Sequence, residues 1–191
     1  KSIDKPIILE FGVRHGYSTR LFLKYCEQNN GKLYSVDIND CSKVSNSSNW
    51  EFIKSRDDNF SFLKEKLPSE FDLIFIDSYH TAEHVKKIIY YYFPFLKKNG
   101  IMLIDDINWI VYTKDKIKNN FNSEINNYEL FFTLLEILNS NYDNINIKFD
   151  FRGSGIAKIY KIENNLNPSK KIISRKFSIK NFIRKIKEKN N

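Results

Sequence analysis

The chain has 191 residues, of which 41% are hydrophobic, and it carries a formal net charge of +8. This length suits one domain, and the apolar content excludes a wholly disordered chain and a fibrous repeat. The sequence has no run of about 18 apolar residues, the length that predicts a transmembrane helix. Two cysteines without metal-ligand spacing suit a reducing compartment, so we expect a cytoplasmic protein and leave open a segment before Lys1.

The positive charge is concentrated at the C-terminal end of the chain. Residues 168–191 contain nine Lys and Arg against one acid, Glu188, whereas residues 1–167 contain 22 basic and 22 acidic residues. We therefore predict a neutral domain over residues 1–167 and a basic tail over residues 168–191. A domain of balanced charge argues against nucleic acid as its partner, because domains that bind nucleic acid usually carry a basic face.

Short apolar runs alternate with helical patterns along residues 6–106. The first run ends at Gly12, as a buried strand does before a tight turn. A long helix is predicted to start near Thr81, to reach about Lys98 and to stop at the capping pair Asn99–Gly100. Strands are predicted over residues 6–12, 32–37, 50–54, 71–77 and 101–106.

The last third of the chain predicts one helix and a β-hairpin. Residues 123–138 place apolar side chains at helical spacing. Alternating residues over 145–151 turn at Arg152–Gly155 into another apolar run over 156–162, which is typical of a hairpin. Together the elements predict an α/β fold, a Rossmann-like doubly wound sheet of about seven strands, mostly parallel with an antiparallel C-terminal hairpin strand.

Polar and acidic residues follow every predicted parallel strand. In a doubly wound sheet these positions meet at one edge, where ligands bind near the switch in strand order. A solvated surface does not require acids at each strand end, so we interpret them jointly as a site. The residues are Glu10, the loop from Gly12 to Gly16, Asp37, Asp57 and Asp58, Asp77 and His80, and Asp105 and Asp106.

The first of these loops, EFGVRHGYST, discriminates between ligands. It has two glycines and an acid instead of the GxGxxG pattern of a dinucleotide site, and the chain has no Walker A lysine motif. The carboxylate of Glu10 would repel phosphates but suits a ligand with cationic groups. Asp37 ends the second strand, 21 residues after Gly16, where a carboxylate can accept both ribose hydroxyls. This pattern predicts an adenosine that bears a positively charged amino acid.

With these motifs the sequence resembles the class I S-adenosylmethionine-dependent methyltransferases, and most closely the small-molecule and sugar O-methyltransferase-type families. The resemblance covers about residues 3–162 and is carried by EFGVRHGYST, the strand end at Asp37, FDLIFIDSYH and LKKNGIMLIDD. It implies S-adenosylmethionine as cofactor, a small-molecule or saccharide acceptor, and a loop that Glu10 helps to position. The pairs Arg14–His15 and Ser78–Tyr79 depart from the common pattern and leave the choice of acceptor open.

The resemblance also implies roles for individual residues. Gly12 and Gly16 would let the backbone approach the methionine part of the cofactor. Ser18 and Thr19 would bind its carboxylate, and Asp57 would bind the adenine amine. The expected cofactor-binding residues are Glu10, Gly12, Gly16, Ser18, Thr19, Asp37, Asp57 and Asp77.

His80 is the candidate general base for methyl transfer to a hydroxyl. It lies three residues past the fourth parallel strand, and its ordinary pKa suits proton removal near neutral pH. Asp106 is the expected catalytic partner, and either Asp105 or Asp106 could orient His80 or cap the following segment. A cap of the following helix is the structural alternative for His80.

A divalent metal such as Mg²⁺ is a further hypothesis for the same edge. Asp77, Asp105 and Asp106 could hold one hard cation through carboxylate oxygens, and the metal would lower the pKa of the acceptor hydroxyl. Metal-dependent O-methyltransferases of this fold carry acids at matching places.

The sequence also suggests roles for His84, Trp109 and Tyr112. His80 to His84 matches the H-x-x-E-H zinc-protease pattern, but we reject that assignment because the surrounding segments fit the nucleoside-binding sheet. His84 is then expected on the helix surface. Trp109 and Tyr112 follow the fifth strand and are candidates to contact the substrate.

Several alternatives remain at this point. In the tail, Ile179, Phe182, Ile183 and Ile186 have helical spacing among basic residues. Such a helix could lie on an anionic membrane surface, dock on a partner protein, contact nucleic acid, or cover apolar surface of its own domain. An RNA methyltransferase and a non-catalytic nucleoside-binding module are the alternative functions, and homo-oligomerisation stays open.

Overall fold

The computed structural model describes residues 3–109, 121–176 and 178–189. Its centre is a seven-stranded sheet with helices on both faces. The strands are β1 (Ile7–Phe11), β2 (Lys32–Asp37), β3 (Trp50–Lys54), β4 (Phe71–Ile76), β5 (Leu96–Ile104), β6 (Ile145–Asp150) and β7 (Ile156–Lys161). The helices are α1 (Tyr17–Gln28), α2 (Phe60–Lys66), α3 (Ala82–Tyr92), α4 (Phe121–Asn141) and α5 (Ile179–Lys189).

The strand order is β3-β2-β1-β4-β5-β7-β6. The first five strands in this order are parallel, and β7 pairs antiparallel with both β5 and β6. This arrangement confirms the predicted Rossmann-like sheet with its antiparallel hairpin. The chain order reverses between β1 and β4, so the switch point lies where Phe11 pairs with Val36 and Ile76.

The core lies on both faces of the central strands. Leu9 and Phe11 of β1 are fully buried, as are Ile88 of α3 and Leu134 of α4. Central parallel strands are apolar throughout because helices cover both of their faces. Because these strands are buried, a polar side chain inside them is unusual. Glu10 of β1 is such a side chain, and it has no exposed surface.

The boundary between α3 and β5 differs from the sequence prediction. The helix ends at Tyr92 instead of continuing to Lys98, because Pro94 cannot continue an α-helix and residues 93–95 form a single 3₁₀ turn. Strand β5 then starts at Leu96. Asn99 has a φ of 64° inside this strand. The pair Asn99–Gly100 is therefore an irregularity of β5 and not a helix cap.

The region after β5 is only partly described. Most of the segment between β5 and α4, including Tyr112, lies outside the described residues. Helix α4 begins at Phe121 and ends at Asn141, slightly longer than predicted. Within the described parts of the chain, no helix combines the length and the apolar character needed to cross a membrane.

Candidate functional site

The loop after β1 is held by the carboxylate at the end of β2. Asp37 Oδ2 accepts hydrogen bonds from the backbone N–H groups of Val13 at 2.8 Å and Arg14 at 3.1 Å. Gly12 has a φ of 94°, and a Cβ there would lie 1.9 Å from the carbonyl oxygen of Asp77. Only glycine therefore lets the ends of β1 and β4 approach so closely at the switch point.

Asp37 stays ionised at this position. Burial by itself would raise its pKa, but hydrogen bonds from the backbone N–H groups of Asn39, Arg14 and Val13 outweigh that effect and lower the pKa. An ionised carboxylate only accepts hydrogen bonds. A partly exposed acceptor beside a glycine loop is what a ligand with paired hydroxyl donors requires.

Glu10 lies inside β1 at the centre of a hydroxyl network. Its Oε1 accepts a hydrogen bond from Ser18 Oγ at 2.6 Å, and its Oε2 accepts one from Thr19 Oγ1 at 2.8 Å. Ser35 Oγ donates to Oε2 as well, at 2.7 Å, and in turn accepts from Trp50 Nε1 at 2.9 Å. The network ties β1 to the start of α1, to β2 through Ser35 and to β3 through Trp50.

The pKa of Glu10 is raised by its burial, which outweighs the three hydroxyl donors that act in the opposite direction. Ser18 and Thr19 each have one hydroxyl proton, and both protons point at Glu10. The structure therefore places these hydroxyls on Glu10, whereas the sequence-based expectation placed them on the cofactor carboxylate.

Asp57 forms a second closed cluster, after β3. Its Oδ2 is contacted by Ser78 Oγ and, at 2.8 Å, by His84 Nε2. The Tyr92 hydroxyl donates to the backbone carbonyl of Asp57 at 3.1 Å. The side chains of His84 and Asp57 are only 10% and 8% exposed. The expectation that His84 lies on the helix surface is wrong, because the first turn of α3 points it at this buried carboxylate.

His80 lies between two carboxylates at the edge of β4 and β5. Its Nε2 is 3.3 Å from Asp77 Oδ1 and 3.4 Å from Asp106 Oδ2. The side chains of all three residues remain between 24% and 36% exposed. Asp106 has a φ of 59°, a conformation that is uncommon outside glycine and that turns this residue back after β5.

The acids change the proton affinity of His80. Burial alone would lower its pKa, but the interaction with Asp77 and the negative charges of Asp106, Asp77 and Asp105 raise it above the ordinary histidine value. Because Nε2 faces the carboxylates, its proton is held there in the neutral ring. Nδ1 is then the nitrogen that can accept a proton.

The three acids of the metal hypothesis have different contacts. Asp77 and Asp106 share His80, whereas Asp105 Oδ1 accepts a hydrogen bond from Ser154 Oγ in the β6–β7 turn at 2.7 Å. Among the described residues, no three His, Cys, Asp or Glu side chains form a group that could hold a metal ion. In this arrangement the residues do not fit a preformed Mg²⁺ site.

Trp109 anchors the segment after β5 to α4. Its ring packs edge-to-face on Tyr128, with 5.4 Å between ring centroids, and lies near Phe131 and Phe132. Its Nε1 is buried and has no hydrogen-bond partner among the described residues. The ring thus has a packing role.

Sequence reasoning missed Ser35, Ser78 and His84. Ser35 interrupts the apolar pattern of β2 at a fully buried position, and that interruption was a usable signal of a buried polar network. No comparable signal marked the other two. Their partner, Asp57, follows a different strand, and only the tertiary structure brings β3, β4 and α3 together at this edge.

The carboxylates and the glycine loop at this edge fit S-adenosylmethionine, the cofactor that the resemblance implies. The loop from Gly12 to Gly16 lies beside the ionised Asp37, and the partly exposed Asp77 adds a further acidic side chain along the same edge. A sulfonium and an ammonium group are favoured by such carboxylates, and ribose hydroxyls find acceptors there.

Comparison with known proteins agrees with this geometry. Residues 9–107, just over half of the chain, match a protein family described as a methyltransferase domain. No curated protein matches the sequence. Among solved structures, the chain is similar to MycE methyltransferase of the mycinamycin biosynthetic pathway, in complex with Mg, SAH and mycinamycin VI, with 22% identity and a TM-score of 0.59.

Two other solved structures extend the comparison. The SAH-bound methyltransferase PaMTH1 of Podospora anserina has 16% identity and a TM-score of 0.65, covering 83% of this chain and 72% of its own. The O-methyltransferase of Bacillus cereus in complex with SAH has 15% identity and a TM-score of 0.58, covering 82% of this chain and 74% of its own. These likenesses show the fold.

The match to MycE covers 84% of this chain but only 46% of MycE, so the chain spans about half the length of that protein. The family match includes the last three residues of β1, the loop that follows it, and both carboxylates that flank His80. The chain therefore belongs to this methyltransferase-domain family.

Proposed function

We propose that the protein transfers a methyl group to a hydroxyl of a small molecule or a sugar, with His80 as the general base. The observation that carries this proposal is the position of His80. It lies past the end of β4, between Asp77 and Asp106, and keeps 24% of its side chain exposed. A base for a bound acceptor must combine a fixed orientation with access to solvent or substrate.

S-adenosylmethionine supplies an electrophilic methyl group on its sulfonium when it is bound. In our proposal Asp37 holds the ribose, Asp57 the adenine amine, and the loop from Gly12 to Gly16 lies along the methionine part. Glu10 shapes that loop through Ser18 and Thr19, since both hydroxyls donate to its carboxylate. Asp77 belongs to the cofactor side of the site, because it lies at the switch point. It also belongs to the acceptor side, because it contacts His80.

His80 carries the proton transfer in this proposal. Its Nε2–H faces Asp77 and Asp106, which leaves Nδ1 to take the proton of the acceptor hydroxyl as the new O–C bond forms. The two carboxylates stabilise the imidazolium that results. They also raise the pKa of His80, so the active unprotonated base forms at higher pH than it would in an ordinary histidine.

The proposal of a small-molecule hydroxyl as acceptor is based on the similarity of fold and on His80 as the base. MycE was solved with a small molecule, mycinamycin VI, and the Bacillus cereus protein is described as an O-methyltransferase. The domain carries 22 basic and 22 acidic residues over 1–167, which supports a small acceptor over RNA.

A direct test measures S-adenosylhomocysteine release with a panel of catechols, phenols and methyl glycosides as acceptors. Mass spectrometry of the product then identifies the methylated atom. We expect an O-methyl product whose formation depends on His80. Methylation at nitrogen or carbon, or a product formed equally fast by His80→Ala, would contradict the proposal.

The metal hypothesis is tested in the same assay. In the arrangement described here His80 needs no ion to be oriented, so we expect turnover to continue in EDTA. A loss of turnover in EDTA that Mg²⁺ restores would require Asp77, Asp105 and Asp106 to rearrange around an ion. Calorimetry with SAH, combined with the turnover assay, separates a catalytic protein from a binding module, because the module binds SAH and transfers nothing.

A further inference from the structure

Helix α5 exposes its apolar side chains to solvent. Ile179 is 79% exposed, Phe182 65%, Ile183 47% and Ile186 46%. The domain does not bury this face. Contiguous apolar surface on a protein usually marks a contact with another molecule or with a membrane.

The four apolar residues form one stripe along the helix. At 3.6 residues per turn they span an arc of about 100°, with Phe182 and Ile183 at its two borders. Lys187 and Lys180 lie just beyond one border, and Lys185 lies beyond the other. The only acid of the helix, Glu188, lies on the opposite pole, where it pairs with Arg184 at 2.8 Å.

Basic residues also dominate the segment that leads into α5. Lys170, Lys171, Arg175 and Lys176 are exposed, and Ile173 among them is 85% exposed. An open cavity of about 460 Å³ at the start of the helix is lined largely by cationic side chains. Its lining residues are Arg175, Lys176, Ser178, Lys180, Asn181 and Arg184.

The tail is attached to the domain through α4. The backbone N–H of Lys170 donates to Ser140 Oγ at 2.9 Å, and that of Ile172 donates to Glu136 Oε1 at 3.1 Å. These contacts fix where the tail leaves the domain. They leave the stripe of α5 free to contact an external surface.

We propose that residues 168–189 bind the protein to an anionic lipid surface, with α5 lying in the plane of the interface. The apolar stripe would enter the boundary between headgroups and acyl chains, and the lysines at its borders would extend to the headgroups. The charge complements a surface of acidic phospholipids. The position of Glu188 opposite the stripe keeps the one negative charge away from that surface.

The distribution of charge favours a membrane over RNA and over a protein groove. RNA binding by phosphate contacts needs the basic residues but gives Phe182 and Ile183 no partner. A groove on a protein partner requires complementary pockets for the apolar residues and does not call for lysines along both borders of the stripe.

The test is co-sedimentation of the full chain with vesicles of phosphatidylcholine, alone or mixed with phosphatidylglycerol. We expect binding to the mixed vesicles and a decrease in binding as salt is added. Phe182→Ser should lower the partition coefficient at least about tenfold, because a phenylalanine no longer enters the interface. Lys187→Glu should lower it at least about fivefold, from the loss of one attractive charge and the gain of a repulsive one.

Two matched controls lie on the domain. Tyr142→Ser removes an aromatic side chain that is 71% exposed, and Lys64→Glu reverses an exposed charge on α2. Both should leave vesicle binding unchanged. No binding to the mixed vesicles at low salt, or equal binding to both vesicle types, would overturn the proposal. Tight binding of polyuridylate with no effect of Phe182→Ser would do so as well and would assign the tail to RNA.

Discussion

Two histidines four residues apart in the chain form clusters with opposite properties. His84 and Asp57 are about nine-tenths buried, and the carboxylate is further bound by Ser78. His80 lies between Asp77 and Asp106, and about a quarter to a third of each side chain is exposed. The same residue types thus build a closed cluster that connects elements and an open cluster that can meet a substrate. Access, and not composition, separates a structural histidine from a candidate base.

Replacing His80 tests the difference between the two histidine clusters most strongly. His80→Ala should lower kcat about 10²- to 10⁴-fold, the usual contribution of a general base, while SAH still binds. Steady-state kinetics with an identified hydroxyl acceptor gives kcat, and calorimetry gives the affinity for SAH. An unchanged kcat would mean that the open cluster is not catalytic.

Replacing His84 should mainly lower the stability of the protein. His84→Ala leaves the buried Asp57 carboxylate without one of its donors, so the free energy of unfolding should fall by about 1–3 kcal/mol. Urea denaturation followed by circular dichroism measures this change.

The conservative variant provides the control for the closed cluster. His84→Gln keeps an N–H donor and should recover part of the lost stability. If Asp57 binds the adenine amine as proposed, SAH affinity should fall in His84→Ala and recover with His84→Gln. A large loss of kcat at saturating cofactor, with stability unchanged, would contradict the structural role of His84.

The open cluster also predicts a pH dependence. Asp106 helps to raise the pKa of His80, so Asp106→Asn should lower that pKa. The base is active when unprotonated. The acid limb of the profile of kcat against pH should therefore move to lower pH in this variant, with a moderate change in the maximum rate.

Asp105→Asn is the matched control for that shift. Asp105 faces Ser154 and is the weakest of the acidic influences on His80, so its replacement should move the acid limb less. Equal shifts in the two variants, or no shift in either, would show that the pH profile does not report the His80–Asp106 contact.

The smallest expected effect concerns the hydroxyl network of Glu10, which is closed to solvent like the Asp57 cluster. Ser18→Ala removes one donor and leaves Thr19 and Ser35, so unfolding should become easier by about 0.5–1.5 kcal/mol. Ser35→Ala should cost more, because Ser35 is fully buried and also accepts from Trp50. A large loss of SAH affinity in Ser18→Ala with unchanged stability would instead place that hydroxyl on the cofactor.

The sequence predicted the sheet and the positions of its strand ends because apolar runs followed by glycine or acid are local features. It did not predict where α3 ends, because the helical pattern up to Lys98 was given more weight than Pro94, and only the structure shows that Leu96 already pairs with Phe71 in β5. The division into a domain over residues 1–167 and a tail stays a prediction, as do the roles of the individual site residues.

By itself the sequence determined that acids gather at one edge of a doubly wound sheet, and that the charge of +8 comes from the last 24 residues. Alternating strands and helices predict parallel strands, and the carboxyl ends of parallel strands lie at one edge, so Asp37, Asp77 and Asp105 were expected to share it. Only the tertiary structure decided which donor each acid receives, because side chains from separate strands and helices meet at distances the pattern does not encode. That is why His80 faces two partly exposed acids, whereas His84 is buried on Asp57.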